Sequence, residues 1–500
     1  MMKESKKIYS STRDDDLRKT PKEAILAGIA SDGGLYVYDG LKDLKLPLKD
    51  MMMQSYAQMA ETVLSLLLPD FSEEEVKDCV KGAYEHKFDT EDITPLNVVD
   101  DTAILELFHG PTCAFKDVGL RMLPQLMVKA IQSGNEKDVM ILTATSGDTG
   151  KAALEGFKDV DHTAITVFYP NDGVSPMQHL QMATTTGHNT KVCAIQGNFD
   201  DAQSNVKRIF QDVELQKRLE AMNVCLSSAN SINIGRLIPQ VVYYIFAYKE
   251  MVNQKQIAFG DEVNFCVPTG NYGNVLAGYY AKCMGLPVKK FIVASNANNV
   301  LYDFLTDGVY DKKRPFYKTI SPSMDILISS NLERLLYYKS GNDATYIKQL
   351  MKQLEEEGKY QVSEDVLASI KEDFYGGYCS DEDCNEAIKS FYESHHYVLD
   401  PHTAVGYKVM KDYQAQDPTP CVLLSTASPY KFPEAVLKAI YDDDVKDPFV
   451  AIDQLSKQTN TDIPQPLLQL QGAAILHRDV IEKDAMSAYV EKTVKEIMHD

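Results

Sequence analysis

The chain has 500 residues, enough for roughly three domains of about 150 residues each, with the composition of an ordinary globular protein. Lys and Arg number 51 against 72 Asp and Glu, a formal charge of −21, so the chain as a whole is repelled by nucleic acid and by anionic membranes. Any anionic ligand must therefore be met by local chemistry.

The opening MMKESKKIYSSTRDDDLRK mixes both charge signs and carries no apolar stretch like that of a secretory signal, and its acidic residues argue against a transit peptide. Nine scattered cysteines fit a reducing compartment better than a disulfide framework, so a cytoplasmic location is expected. The one tight pair, Cys379 and Cys384 in CSDEDC, has neither a second pair nor a nearby histidine, so these read as surface thiols and no metal is expected.

In chain order, residues before about 100 read as mainly helical. The stretch 51–68 is apolar and ends at Pro69, and Ser72 followed by three glutamates opens a further helix with acids at its positive end. From Ile104 the pattern changes to short β-rich runs separated by helical periodicity, as a parallel sheet with crossover helices requires. Strands are predicted at 104–107, 139–143, 164–169, 191–195, 263–267, 291–294 and 421–424. The apolar run 237–248 contains Pro239 and Gln240 and falls short of the ~20 residues that span a bilayer, so it reads as a buried helix. Ala202, Val206, Ile209, Phe210 and Val213, behind Asp200 and Asp201 as possible caps, and later Ile347, Leu350, Met351 and Leu354, recur at helical spacing and read as core.

Three loops, each close behind a predicted strand, depart from this pattern, and strand carboxyl ends are where open parallel sheets bind ligands. His109-Gly110-Pro111-Thr112-Cys113-Ala114-Phe115-Lys116 places one lysine after small and aromatic residues, where desolvation lowers an amine's pKa as a nucleophile needs. Thr145-Ser146-Gly147-Asp148-Thr149-Gly150-Lys151 opens a helix and offers backbone amides and hydroxyls to an anion, but it lacks the first glycine and final hydroxyl of a P-loop. Pro268-Thr269-Gly270-Asn271-Tyr272-Gly273-Asn274 can curl its amides around a phosphate, yet it fails the dinucleotide fingerprint. Two weaker stretches are Ser231 through Arg236, a hydroxyl and a guanidinium suited to a dianion, and Ser425-Thr426-Ala427-Ser428, a hydroxyl-rich turn. One lysine, a phosphate cup and a separate anion site are the inventory of a pyridoxal-phosphate enzyme acting on an anionic amino acid. A nucleotide-dependent kinase or dehydrogenase is disfavoured by the failed fingerprints, and a non-enzymatic phosphate-binding protein by the presence of Lys116.

The segments HGPTCAFKDVGLR, LTATSGDTGKAA, SSANSINIGRL, PTGNYGNVLAGYYAKCMGLP and DPHTAVG resemble, in order, the signature segments of threonine synthase, over roughly residues 105–433. The resemblance is to the longer, N-terminally extended branch. It implies an α/β, fold type II (tryptophan synthase beta-like) pyridoxal 5'-phosphate enzyme, a carbon–oxygen lyase acting on phosphates that makes L-threonine and phosphate from O-phospho-L-homoserine and water. The implied organisation is an N-terminal region 1–100, a large domain 101–135 with 245–440, a small domain 136–244 and a C-terminal helical extension 441–500, as a monomer or homodimer.

By the same resemblance Lys116 is the Schiff-base lysine and catalytic residue. Gly270, Asn271, Tyr272, Gly273 and Asn274 bind the cofactor phosphate, and Thr426 faces the pyridine nitrogen. Ser146, Gly147, Asp148 and Thr149 receive the substrate carboxylate, and Ser231 with Arg236 holds the substrate phosphate. Many related enzymes have Asn where Asp148 stands, and an ionised Asp cannot donate a hydrogen bond. A phospho-lyase or dehydratase that releases a 2-oxo acid is the alternative.

Overall fold

A computed structural model describes residues 6–134, 137–145 and 147–498. Two mostly parallel sheets dominate it. The larger has six strands in the order Phe374–Tyr378, Val288–Ser295, Val263–Pro268, Cys421–Ser425, Thr102–Glu106 and Leu96–Val99. All neighbours run parallel except the edge pair Leu96–Val99 and Thr102–Glu106. The smaller has five parallel strands in the order Asp479–Glu482, Thr190–Gln196, Thr163–Pro170, Asp138–Ala144 and Val224–Ser228.

All seven predicted strands are present, six of them longer by one to four residues and the first shifted to Thr102–Glu106, and the central ones are buried end to end because helices cover both faces. Val213, expected in a core stripe, is instead 60% exposed, because helix Phe199–Gln211, capped by Asn198, ends before it. Four strands lacked a readable signal. Val224–Ser228 ends in two serines, Asp479–Glu482 has only two apolar residues between acids, Phe374–Tyr378 carries two glycines, and Leu96–Val99 is a short edge strand.

The N-terminal region holds the expected helices Tyr56–Leu67 and Glu73–Tyr84, each opened by a capping box, at Ser55 and Ser72. It also carries a three-stranded antiparallel sheet, Tyr9–Ser11, Asp14–Lys19 and Tyr36–Tyr38, which the helical reading missed because two of these strands are three residues long and show no period. The run 237–248 is helical and fully buried, as expected. Among the described residues no helix is long and apolar enough to cross a membrane.

The expectation of surface thiols is corrected. Cys379 is 1% and Cys384 0% exposed, since CSDEDC is a helix start that turns Cys384 inward and leaves Glu382 and Asp383 in solvent.

Helix Lys116–Gln132 joins the layers. Pro124 inside it has no N–H for the carbonyl of Leu120, and Gly156 fits against that carbonyl so closely that a Cβ there would lie 2.1 Å from the oxygen. The glycine lets helix Asp148–Phe157 lie directly against the lysine helix, which brings the start of one beside the start of the other.

Candidate active site

The sheet order places Cys421–Ser425 between Val263–Pro268 and Thr102–Glu106, so the three loops leaving their carboxyl ends lie side by side. The lysine loop is stitched to the Thr426 turn by backbone bonds from Leu107 to Ser425 (2.9 Å), Phe115 to Thr426 (2.9 Å) and Ser428 to Cys113 (3.0 Å). Within the loop the fully buried Asp117 accepts from Thr112 N (2.9 Å) and Thr112 Oγ1 (2.7 Å), closing the turn that precedes Lys116. Burial raises the Asp117 carboxyl to about 6 against the lowering effect of those bonds.

At the loop's start His109 bridges Asp89 (Nδ1, 2.6 Å) and Glu106 (Nε2, 2.8 Å), and Glu106 also accepts from Tyr397 (2.6 Å). Burial works to lower the imidazole, but the two carboxylates prevail and raise it to about 9, so the charged form makes the bridge.

Gly147 (φ +144°) begins helix Asp148–Phe157, in a region that side chains rarely enter. Thr145 Oγ1 accepts from the amides of Gly147 and Gly150, both at 2.9 Å, and so shapes the turn. Asp148 follows in the helix's first turn, buried, with the part-exposed Thr149 next to it. Ser146 lies outside the described residues.

Asp148 is the hub of the site. Lys431 Nζ sits 2.7 Å from its Oδ1 and Lys116 Nζ 3.5 Å from its Oδ2, while Gln178 (3.1 Å) and Ser323 (2.9 Å) donate to the same carboxylate. Lys431 is wholly buried and also donates to the carbonyl of Thr112 (3.0 Å). The amide of Ser323 donates to His402 Nε2 (3.1 Å), which puts the His402 proton on Nδ1, facing Asp400 at 2.8 Å.

Burial lowers the Lys116 ammonium to about 8. Lys431 and Arg236 act in the same direction and Asp148 opposes them. Burial alone would raise the Asp148 carboxyl, but Lys431 and then Lys116 hold it far below the usual carboxylate range. An amine poised near neutrality beside a permanently ionised carboxylate is the chemistry of a carbonyl-capturing lysine.

Across the cleft, helix Gly273–Cys283 starts after Tyr272, held at φ +64°. Asn331 donates twice to the Asn271 carbonyl (3.0 and 3.1 Å) and Ser329 Oγ donates to that of Gly270 (2.7 Å). With those carbonyls turned away, the amides at the very start of the helix, Gly273 and Asn274, lack an intrahelical acceptor, as an anion site requires. A Cβ on Gly270 would lie 2.8 Å from the Ser323 carbonyl, so glycine is required where the cup meets the Asp148 cluster. The Tyr272 ring is buried near Phe374, and the Asn274 side chain donates to Pro268 and accepts from Val275. Thr426, at the end of its strand, is 5% exposed.

Ser231 and Asn271 share the wall of a cleft of about 1090 Å³ that is also lined by Lys207, Lys312 and the Arg13–Glu333 ion pair. Arg236 is buried, donates to the carbonyl of Ala229 (3.0 Å), and packs its own carbonyl where a Cβ on Gly119 would be 2.6 Å away, on the lysine helix. Burial lowers its guanidinium to about 10, and among the described residues it forms no ion pair with a carboxylate.

Sequence reasoning did not single out Lys431, Gln178, Ser323, His402 or Arg334. Arg334, fully buried, donates to the carbonyls of Tyr36 (2.8 Å), Ile232 and Ser231 (3.4 Å) and to Asn331 Oδ1, which ties the N-terminal sheet to the anion loop and to the cup.

A buried amine lowered to about 8, a glycine-dependent amide cup and the two open α/β layers together fit pyridoxal phosphate. The profile of pyridoxal-phosphate-dependent enzymes matches residues 103–426, which makes the chain a fold type II enzyme of that class. The profiles of the threonine synthase N terminus and C-terminal region match residues 8–84 and 403–470. The chain is 36% identical over 472 residues to threonine synthase of Saccharomyces cerevisiae, covering 88% of this chain and 90% of that one. It is 40% identical over 432 residues to human threonine synthase-like 1, covering 84% of this chain and only 58% of that protein's length. The yeast threonine synthase crystal structure superposes with a TM-score of 0.86 at 33% identity, over 99% of this chain and 100% of that one. The pyridoxal-phosphate-bound threonine synthase from Brucella melitensis gives 0.84 at 36%, over 97% and 99%. The chain belongs to the threonine synthase family.

Proposed function

We propose that this chain converts O-phospho-L-homoserine and water into L-threonine and phosphate. The observation that carries this reading is Arg236, a buried guanidinium without a carboxylate partner, placed against the helix that begins at Lys116. One carbonyl acceptor leaves most of its donors available, and a substrate phosphate beside the lysine would take them. Serine and threonine, the substrates of simple dehydratases, have nothing to place there.

When bound, pyridoxal phosphate supplies the electron sink for negative charge at the substrate's Cα. Lys116 anchors it, and the amides of Gly270 through Asn274 hold its phosphate. Thr426 would offer the ring nitrogen a neutral hydroxyl, which would leave that nitrogen largely unprotonated and the sink mild. The turn at Ser146, Gly147, Asp148 and Thr149 receives the substrate carboxylate through backbone amides and hydroxyls, the ionised Asp148 side chain being turned to Lys431 and Lys116, while Ser231 and Arg236 grip the substrate phosphate. Lys116 Nζ, released on substrate entry, removes the α-proton and then carries protons at Cβ and Cγ. Phosphate leaves from Cγ and water adds at Cβ.

The two sheets support a division into a large domain built on 101–135 with 245–440 and a small one built on 136–244, with the substrate between them; the large sheet also takes in Leu96–Val99, and the small sheet takes in Asp479–Glu482 from the C-terminal region read as a helical extension. Nine free cysteines fit a cytoplasmic location. Incubation with O-phospho-L-homoserine should yield threonine and phosphate in equal amounts. Release of 2-oxobutyrate would favour the lyase or dehydratase reading instead, and homoserine with phosphate would refute both.

A further inference from the structure

Two buried lysines converge on one buried carboxylate. Lys431 is the closer, at 2.7 Å, with a second acceptor in the Thr112 carbonyl and no exposure; Lys116 stands at 3.5 Å and its side chain is 10% exposed. A lone Lys116–Asp148 pair in such surroundings would be a settled ion pair, and the amine a poor nucleophile. With Lys431 already satisfying Asp148, the cluster carries one positive charge too many, and the proton it sheds comes from the looser amine, Lys116.

We propose that Lys431 is a positioning residue for Lys116: it fixes Asp148 as an anion already neutralised, so that the carboxylate orients the Lys116 amine without holding a proton on it. Asp148 thereby acts as an acceptor hub, which gives a physical reason for an aspartate where many related enzymes have asparagine. The charged and titratable groups facing Lys116 are Asp148, Lys431 and Arg236; those facing Asp148 are Lys431, Lys116 and the His402 imidazole. On the lysine loop, Asp117 and Cys113 also face Lys431, and Arg121 faces Asp117. Removing Lys431 deletes a like charge from the surroundings of Lys116 and leaves Asp148 to Lys116 alone, so both effects raise the pH at which the amine becomes free. The inference rests on Lys116 as the cofactor lysine and is independent of the substrate.

The test uses the full chain freed of cofactor. Lys116 is labelled by reductive methylation with formaldehyde across a pH series and quantified in its peptide by mass spectrometry. In Lys431→Met the labelling midpoint should rise by about one pH unit or more, and in Lys431→Arg it should stay at the wild-type value. If Lys431→Met does not fold, the comparison of Asp148→Asn with Asp148→Asn/Lys431→Met carries the test, because there only a like charge is removed and the midpoint should again rise. An unchanged or lowered midpoint in folded Lys431→Met, or between the two Asp148→Asn proteins, overturns the proposal. A merely structural Lys431 would lower the melting temperature and leave the midpoint in place.

Discussion

Lys116→Ala should lower kcat by about 10⁴-fold or more and abolish the visible absorbance of the bound cofactor, while the protein stays folded. The size follows from two functions lost together, the anchoring of the cofactor and the carriage of protons at three substrate carbons. The fold should survive because Asp148 keeps its closer counter-charge, Lys431, and the turn before residue 116 is closed by Asp117 and Thr112 without the lysine's help. Stopped assays of threonine formation, absorbance spectra and circular dichroism check the three parts separately. A variant that keeps its colour or more than about one per cent of its activity would show that another amine does this work.

Arg334→Ala should weaken cofactor binding and substrate binding together, each by about tenfold or more, and destabilise the protein by about 3 kcal/mol or more. Arg334 touches neither ligand. It donates to Ser231 and Ile232 in the anion loop and to Asn331, which in turn fixes Asn271 in the cup, and it reaches Tyr36 in the N-terminal sheet. Removing it leaves those acceptors unsatisfied in a dry interior and frees both loops at once. Arg236→Ala should instead raise KM for O-phospho-L-homoserine and hardly change cofactor affinity. Cofactor Kd and substrate KM measured on both variants separate the roles, and an unaltered cofactor Kd in Arg334→Ala would contradict the linkage.

Much of this was legible in the sequence where chemistry and periodicity are local. The buried strands appear as short, mostly apolar runs, and Lys116 stands out because its loop is small, aromatic and turn-rich. Asp148 was legible only as an oddity, a carboxylate in a helix start that otherwise invites anions. Its meaning depends on Lys431, Gln178 and Ser323, which lie 30 or more residues away and share no spacing with it. Lys431 did leave a faint mark: a lysine between Tyr430 and Phe432, followed by Pro433, is poorly placed to reach water. Arg334 left none, since it lies in LERLLYYK, a stretch that reads as an ordinary amphipathic helix. The N-terminal sheet was missed for the same reason, because three-residue strands are specified by their partners and not by their own pattern.

The most direct measurement is borohydride reduction of the cofactor-bound protein followed by peptide mapping. Two buried lysines lie within reach of the same carboxylate, so the map discriminates between them. The phosphopyridoxyl group should be found on Lys116 alone; its appearance on Lys431, or on neither residue, would contradict the account.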